Sequence, residues 1–498
     1  MPLSNIYRDL FSNQHFRIEM AVGAAQVDAA SFVRIVEACR LLLADRGVGA
    51  GDAILFHGDQ GLPALAMFWA CVMEAAIFVP VDVGWPPYLL AKVVALTKPV
   101  LAVVDDELLP VWQAVAANTP LLAVSGLPMA LDALTASRPN VARDGVTPEA
   151  PAAYLFTSGS SGEPKAVVLS HAALARSARL AVDTFGWQAG ERLLNLADPH
   201  TMSGLRNAFV VAPLAGMTWV CVPKKERGNT FALLDVVERA QAQRMVSAPV
   251  LLRHVNLVGA RMPDTVFASM KALYCTGTDL NTDEVRRFHS RFGIPVVNYY
   301  GLTETVGLCL AQDVHHWSAD DASVGRPVGC KVRIIDDEGR EVAQGGVGEL
   351  QVLLEHPMSG YLHDAEATAA MFDGPWLRTG DLVRSDHEGR VFIVGRRGNF
   401  IKTLGTDKVQ PQEIEAVLED CPGVAEAAVF GWADPAGGER IAALVVATEG
   451  ASLADGDLAR FVQDRLGATR VPAIFRHVAV IPRSANGKIL RKQLGEFI

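Results

Sequence analysis

From Asp28 to Val104 the chain alternates apolar helical stretches with short apolar strands, at a spacing that admits few folds. Phe32, Ile35, Val36, Cys39, Leu42 and Leu43 recur at helical intervals before Gly47 and Gly49, and Asp52 to His57 then reads as a strand. The same logic predicts a helix over 62–75, a strand over 76–81, a helix over 86–97 and a strand over 99–104. Apolar strands separated by helices of crossover length imply parallel sheets covered on both faces. With half of its 498 residues hydrophobic, the chain can fill the cores of two or more domains.

Leu62 to Val81 is twenty residues with a single charge, close to a membrane span in length. Glu74 lies inside it, Pro80 interrupts it, and Asp59 and Asp82 flank it where lysine or arginine would be expected. A buried helix running into a buried strand is the expectation.

The alternation continues with helix 172–184, strand 192–196, helix 204–215 and strand 217–222, after which Lys224 to Arg227 reads as a solvated turn. A helix over 230–242 and strands at Met245–Ala248, Lys271–Thr278 and 294–299 follow. From Ser323 to about Val394 the pattern changes to short β segments with Gly-rich turns, and Gly395–Asn399 interrupts it again. This places an α/β core at 1–396 whose 323–394 portion is a smaller, mostly β subdomain, a hinge at 397–399 and a small α+β domain at 400–498.

Leu155 to His171 carries the strongest chemical signal. An apolar strand leads into Thr157, Ser158, Gly159, Ser160, Ser161 and Gly162, then Pro164, Lys165 and a second apolar run. The glycines let backbone N–H groups converge on an anion, the hydroxyls add donors and Lys165 adds charge, so a polyphosphate is the natural guest. A Walker A loop would open a helix with Lys followed by Ser or Thr; here Pro164 precedes Lys165, Ala166 follows it, and the loop returns into a strand.

A formal charge of −10 leaves no basic footprint for nucleic acid or an anionic membrane surface. Seven scattered cysteines form neither a disulfide framework nor a CxxC metal site, which fits reduced thiols in a cytoplasmic protein. The N-terminus lacks the basic-then-apolar order of a signal peptide. Helical faces are too degenerate to mark an oligomer interface, and the sequence leaves the oligomeric state open.

The phosphate loop, Tyr300-Gly-Leu-Thr-Glu-Thr305, Trp376-Leu-Arg-Thr-Gly-Asp-Leu382, Gly395-Arg396 with Ile401-Lys402, and Pro482 to Arg491 together resemble the adenylate-forming superfamily of acyl- and aryl-CoA synthetases, peptide-synthetase adenylation domains and firefly luciferase. Five motifs in order over most of the chain carry this resemblance. It implies a large N-terminal domain of two parallel-rich sheets, a small mobile C-terminal domain, and a reaction in two halves. A carboxylate attacks the α-phosphate of ATP to give acyl-AMP and pyrophosphate, and a thiol of CoA or of a carrier's phosphopantetheine then displaces AMP.

Position by position, the resemblance implies that Thr157 to Lys165 hold the β- and γ-phosphates, and that Tyr300, with Gly301 beside it, stacks on adenine. Gly277 and Thr278 would line the adenine edge, with Thr276 in the substrate pocket. Thr303 would touch the α-phosphate, Glu304 would ligate Mg²⁺, and Asp381 would accept the ribose hydroxyls with Arg396 nearby. Lys488 would reach the α-phosphate and the substrate carboxylate, neutralising charge that builds in the transition state. Read alone, a lysine in a Gly-Lys turn near the end of a chain is most often solvated; the string Pro482 to Lys492 points the other way.

Two departures bear on the second half-reaction. Gly398 stands at the hinge position where relatives usually carry Asp or Lys, and the segment between Gly405 and Pro411 is one residue longer than the commonest form. They leave the acceptor open between CoA and a carrier protein.

For the acid, Pro199-His-Thr-Met-Ser-Gly204 occupies the place of an aromatic or histidine gate, so His200, Ser203 and Gly204 are pocket candidates. No aspartate stands where amino-acid-activating domains hold the substrate ammonium, and Asp198, before Pro199, is not expected to point the same way. The expected substrate is an acid without an α-ammonium. Tyr299, bulky where many relatives are small, favours a short-chain or compact cyclic acid, unless it points into core. Arg206, on a mostly apolar helix, either pairs with a second carboxylate or a phosphate of the substrate or, as is more usual, makes a structural ion pair. The other classes weighed are a stand-alone adenylation domain serving a carrier protein, a luciferase-like oxygenase and a non-catalytic nucleotide-binding relative. Retention of Glu304, Asp381 and Lys488 argues against the last.

Overall fold

The computed structural model describes residues 2–10, 15–21, 25–129, 146–158, 164–258, 262–277, 280–397, 401–402, 408–433, 439–483 and 489–498. It divides into two compact units, Met1–Lys331 with Val352–Leu377, and Val332–Gln351 with Arg378–Ile498. The division falls inside the 323–394 β region.

The first unit contains two sheets. One has seven strands, with Ala53–His57, Ile77–Pro80, Leu101–Val104 and Leu121–Ala123 in parallel. Pro151–Ser158 extends it in parallel beside Ile77–Pro80, and Pro164–Ser170 returns antiparallel. The other has nine strands, whose centre (Thr218–Cys221, Arg192–Asn195, Arg244–Ser247, Ala272–Cys275, Val296–Leu302) is parallel throughout. The α/β expectation holds, and the strands are buried on both faces as their unbroken apolar runs require.

Leu62–Glu74 is a helix whose residues from Ala64 to Glu74 are all buried, and it passes through Ala75 in the left-handed region (φ 59°) into strand Ile77–Pro80. No helix among the described residues is long and apolar enough to cross a membrane. Phe68 and Trp69 pack with Phe78, Phe209 and Trp219 at ring separations of 5.3–6.3 Å, joining the helix to both sheets. Truncating such a buried aromatic costs about 3–5 kcal/mol. A polar cluster is buried beside it: Arg40 Nε donates to Glu74 (2.8 Å), its Nη1 to Glu37 (3.0 Å), and Tyr7 Oη to Glu37 (2.9 Å).

The helix expected over 204–215 begins at Met202 and is not uniform. Met202–Gly204 is α-helical, Leu205–Val211 winds as a π-helix, and Ala212–Ala215 is α-helical again. Pro213 explains the change. It has no N–H to give Phe209, and its ring would crowd the Phe209 carbonyl in a regular helix. That carbonyl instead accepts the Trp69 indole N–H at 3.0 Å, while Ala212 N–H reaches back five residues to Asn207.

Lys224–Arg227 is a correction to the solvated turn. It forms a short helix, and Arg227, its side chain 9% exposed, bridges Asp59 (2.5 Å) and Asp198 (2.7 Å).

In the second unit, strand Val391–Arg396 pairs antiparallel with Trp376–Ser385, setting Asp381 opposite Arg396. Further on, Pro411–Glu419 and Asp455–Leu466 are helices that pack on a sheet of Val424–Ala433, Glu439–Ala447 and Ile474–His477, an α+β body with its own core.

Candidate active site

Strands Pro151–Ser158 and Pro164–Ser170 form a hairpin in which Thr157 faces Lys165 and Ser158 faces Pro164, so both ends of the phosphate-loop motif sit at one mouth. Gly159, Ser160, Ser161 and Gly162 lie outside the described residues. Lys165 Nζ lies 5.0 Å from the centre of the Tyr361 ring, a cation–π contact, and Tyr361 Oη donates to Glu304 Oε1 at 2.8 Å. Strand Gly360–Tyr361 pairs with Pro164–Ser170, and Met358 N–H donates to the Glu304 carbonyl (3.0 Å), so the hairpin and the Glu304 turn are tied together. Tyr361 escaped the sequence reading because it lies far from every motif it touches.

The turn Thr303–Val306 follows strand Val296–Leu302, which carries Tyr299 and Tyr300, the latter half-buried. Val306 is held at φ 57°, a left-handed geometry that costs a β-branched residue about 1–3 kcal/mol, with Ser177 Oγ bonded to its carbonyl. Gly301 is required by close approach: a Cβ there would lie 1.6 Å from the Gly307 carbonyl oxygen. Thr305 Oγ1 accepts from Leu302 N–H at 2.8 Å and closes the turn.

No cluster of three metal-ligating side chains occurs among the described residues. Glu304, 8% exposed, is a lone carboxylate with one oxygen engaged by Tyr361. A single buried carboxylate fits a hard cation that takes its remaining ligands from phosphate oxygens and water, as magnesium does.

The candidate acid pocket is built around the start of the irregular helix. Thr201 Oγ1 caps it by accepting from Gly204 N–H (3.1 Å), and a Cβ at Gly204 would lie 1.9 Å from the Asp198 carbonyl oxygen. Asp198 is turned to Arg227, away from this helix end. His200 Nε2 lies 3.6 Å from Asp82, and burial, outweighing that carboxylate, lowers the His200 pKa below its ordinary value. Behind it His57 accepts from Trp112 (2.6 Å) and faces the Asp82 carbonyl (3.0 Å), and burial pushes its pKa down to about 4. His57 and Asp82 had no motif to betray them.

Tyr299 packs edge-on against Phe185 (5.5 Å) and its hydroxyl meets Ser203 Oγ at 3.0 Å, so it belongs both to the core and to the helix face. Asn207 Nδ2 donates to the same Ser203 Oγ (3.1 Å). Arg206 is 1% exposed; its Nε donates to Asn207 (2.9 Å), and its Cζ lies 5.5 Å from the centre of the Tyr299 ring. Thr276 is half-buried, Gly277 has φ 98° in the turn after strand Ala272–Cys275, and Thr278 lies outside the described residues.

In the second unit Arg396 Nε is 3.5 Å from Asp381 Oδ1, and Arg397 and Arg378 both bond Glu349 (2.6 and 3.1 Å). Gly398 and Lys488 lie outside the described residues. Around the latter, Arg483 bridges Ile489, and Arg491 bonds Glu415 at 2.6 and 2.8 Å.

The AMP-binding enzyme model matches residues 32–362, and the AMP-binding enzyme C-terminal domain matches 413–488. The chain is 28% identical over 480 residues to an indoleacetate–CoA ligase of Aromatoleum aromaticum, covering 94% of this chain and 92% of that one. It is also 28% identical over 470 residues to a fatty acid–[acyl-carrier-protein] ligase of Streptomyces coeruleorubidus, covering 90% and 87%. Among solved structures it is similar to ATP-bound MatB from Rhodopseudomonas palustris, with a TM-score of 0.90, 25% identity and coverage of 100% and 99%.

Proposed function

The chain belongs to the AMP-binding enzyme family, and from that premise we infer an AMP-forming acid–thiol ligase, which activates a carboxylic acid with ATP and passes the acyl group to a thiol. The observation that carries this reading is the convergence on Tyr361 of Lys165 and Glu304, which sets a cation and a carboxylate on one ring beside the phosphate hairpin.

In the first half-reaction a substrate carboxylate oxygen bonds the α-phosphorus as the bond to the bridging oxygen breaks and pyrophosphate leaves with the electron pair. Thr157, Lys165 and the intervening loop hold the β- and γ-phosphates. Thr303 meets the α-phosphate, and Tyr300 with Gly277 and Thr278 holds adenine. Asp381, beside Arg396, takes the ribose hydroxyls. Glu304 would hold magnesium, which when bound offsets phosphate charge. Lys488, brought by a domain at 400–498 that turns about 397–399, adds the cation at the reacting centre. In the second half-reaction a thiolate bonds the acyl carbon and AMP departs.

The acid lacks an α-ammonium: Asp198, which precedes the candidate gate, is paired with Arg227. Tyr299, closing the space beside Ser203, favours a short-chain or compact cyclic acid over a long one. The carrier-protein ligase among the relatives supports a second reading, in which a carrier phosphopantetheine is the sole acceptor.

Pyrophosphate exchange into ATP across a panel of acids tests the first half. Acid-dependent exchange is expected, strongest for compact acids; preference for C12–C16 acids rejects the compact pocket, and no exchange with any acid rejects the ligase. AMP release with CoA or a phosphopantetheinylated carrier then identifies the acceptor. Lys488→Ala is expected to cut adenylation by about 10²–10³-fold or more while thiolysis of supplied acyl-AMP persists. Equal loss of both steps would reassign this lysine.

A further inference from the structure

Arg206 is buried without a carboxylate. Neither Nη1 nor Nη2 has a hydrogen-bond partner among the described residues, and the Nε bond goes to neutral Asn207. Burial lowers its pKa from the ordinary value, with only the Tyr299 hydroxyl acting in the opposite direction. A guanidinium stays charged even so, and an uncompensated charge in such a place is costly to a fold that has nothing to gain from it.

The location gives the charge a use. A Cβ on Gly307 would lie 2.8 Å from Arg206 Nη1 and 3.2 Å from Met202, so the guanidinium rests against the residue that follows the Thr303–Val306 turn. Gly307 pairs with Leu302, the residue before Thr303, so the guanidinium rests at the same end of this hairpin as the Thr303 turn. The side chain leaves the first turn of the π-helix beside the Tyr299 ring, whose hydroxyl meets Ser203 Oγ.

We propose that Arg206 selects acids bearing a second anionic group, a carboxylate or sulfonate, which seats on its two unpartnered Nη atoms while the reacting carboxylate lies at the Thr303 turn. The inference rests on the acid-activating reading above and narrows its substrate class. The guanidinium fork matches two oxygens of one oxyanion, and the same charge repels an ammonium, in keeping with an acid that has none. A site whose buried donors are left unpaired by a neutral acid should discriminate against it by at least about 10²-fold.

The test compares kcat/KM for AMP formation on matched skeletons, butyrate against succinate, benzoate against terephthalate, and propionate against 3-sulfopropionate, in the wild type, Arg206→Lys and Arg206→Met. The wild type is expected to prefer the doubly anionic member of at least one pair by about 10²-fold or more. Arg206→Lys should keep part of that ratio and Arg206→Met should abolish or invert it. The carboxylate and sulfonate pairs show which oxyanion fits. A wild type that uses the neutral acids as well or better overturns the proposal, as does an Arg206→Met that lowers both members of a pair equally. Should Arg206→Met fail to fold, the wild-type ratios and Arg206→Lys still decide. If neutral acids react, the ligase reading survives and only the selectivity falls; if no acid supports exchange, both fall.

Discussion

Arg40 and Arg206 are shielded from water to the same degree, at 3% and 1% exposure, in the same unit of the chain. Arg40 lies where helices Ala29–Asp45 and Leu62–Glu74 meet, and it arrives with its counter-charges: two buried glutamates and a tyrosine close the cluster on itself. Burial acts to lower its pKa, but the bonds to Glu74 and Glu37 outweigh it and the pKa rises. Arg206 has no such company and its pKa falls. A charge sealed with its partners belongs to the scaffold; one sealed without them among the described residues is the one we propose a substrate anion completes.

The contrast can be broken from either side. The largest effect is expected in the closed cluster, where Glu74→Ala strands Arg40 and should destabilise the protein by about 3–5 kcal/mol in urea unfolding. Arg206→Met, which deprives only the neutral Asn207 oxygen of its donor, should cost less, about 1 kcal/mol. A cost as large as that of Glu74→Ala would give Arg206 a structural role. Next comes the carboxylate proposed to hold magnesium: Glu304→Gln should cut pyrophosphate exchange by about 10²–10³-fold, about 3–4 kcal/mol, with little change in Tm.

Acid supplies a third probe. His57 and His171 are both pushed by burial to about 4, yet His57 is enclosed by Trp112 and the Asp82 carbonyl whereas neither ring nitrogen of His171 has a partner among the described residues. Because their folded pKa values lie below the ordinary 6.5, the unfolded chain takes up protons first. Stability is therefore complete above about pH 6.5 and falls as pH drops toward 4, by about 2 kcal/mol per histidine at pH 5. His171→Phe should remove its share, seen as a flatter stability–pH curve; an unchanged slope would mean that His171 does not titrate this way. The smallest effect is expected for Tyr361→Phe, which deletes one hydrogen bond to Glu304: about 1 kcal/mol, or a five- to tenfold rise in KM for ATP.

Much of the scaffold was legible because apolar period and length were enough. Helices Ala29–Asp45, Leu62–Glu74, Pro87–Thr97 and His171–Phe185 and strands Ala53–His57, Ile77–Pro80 and Leu101–Val104 follow their apolar spacing to within a residue or two, while helix Leu109–Val115 and strand Leu121–Ala123 were not read. The helix Leu3–Leu10, with strands Arg17–Met20 and Gln26–Asp28, gave too short a signal to be read. Local propensity also could not show that Arg227 would fold back on Asp59, a residue 168 positions away. In the candidate site, the expectations drawn from the sequence lie in or beside motifs, whereas Tyr361, His57 and Asp82 meet those residues or each other through tertiary contacts that no spacing reveals. Arg206 was visible as an odd cation on an apolar helix; that its two Nη atoms have no partner among the described residues is visible only in three dimensions.

The π-wound segment Leu205–Val211 holds one residue more per turn than the regular helix on either side of it. Pro213 denies this segment its regular hydrogen bond, so replacing the proline and deleting one residue together would let the helix tighten and carry Arg206 about 100° around its axis, off the Tyr299 ring. Acid preference in this scaffold is thus two local changes away from being rewritten, with the phosphate hairpin left as it was.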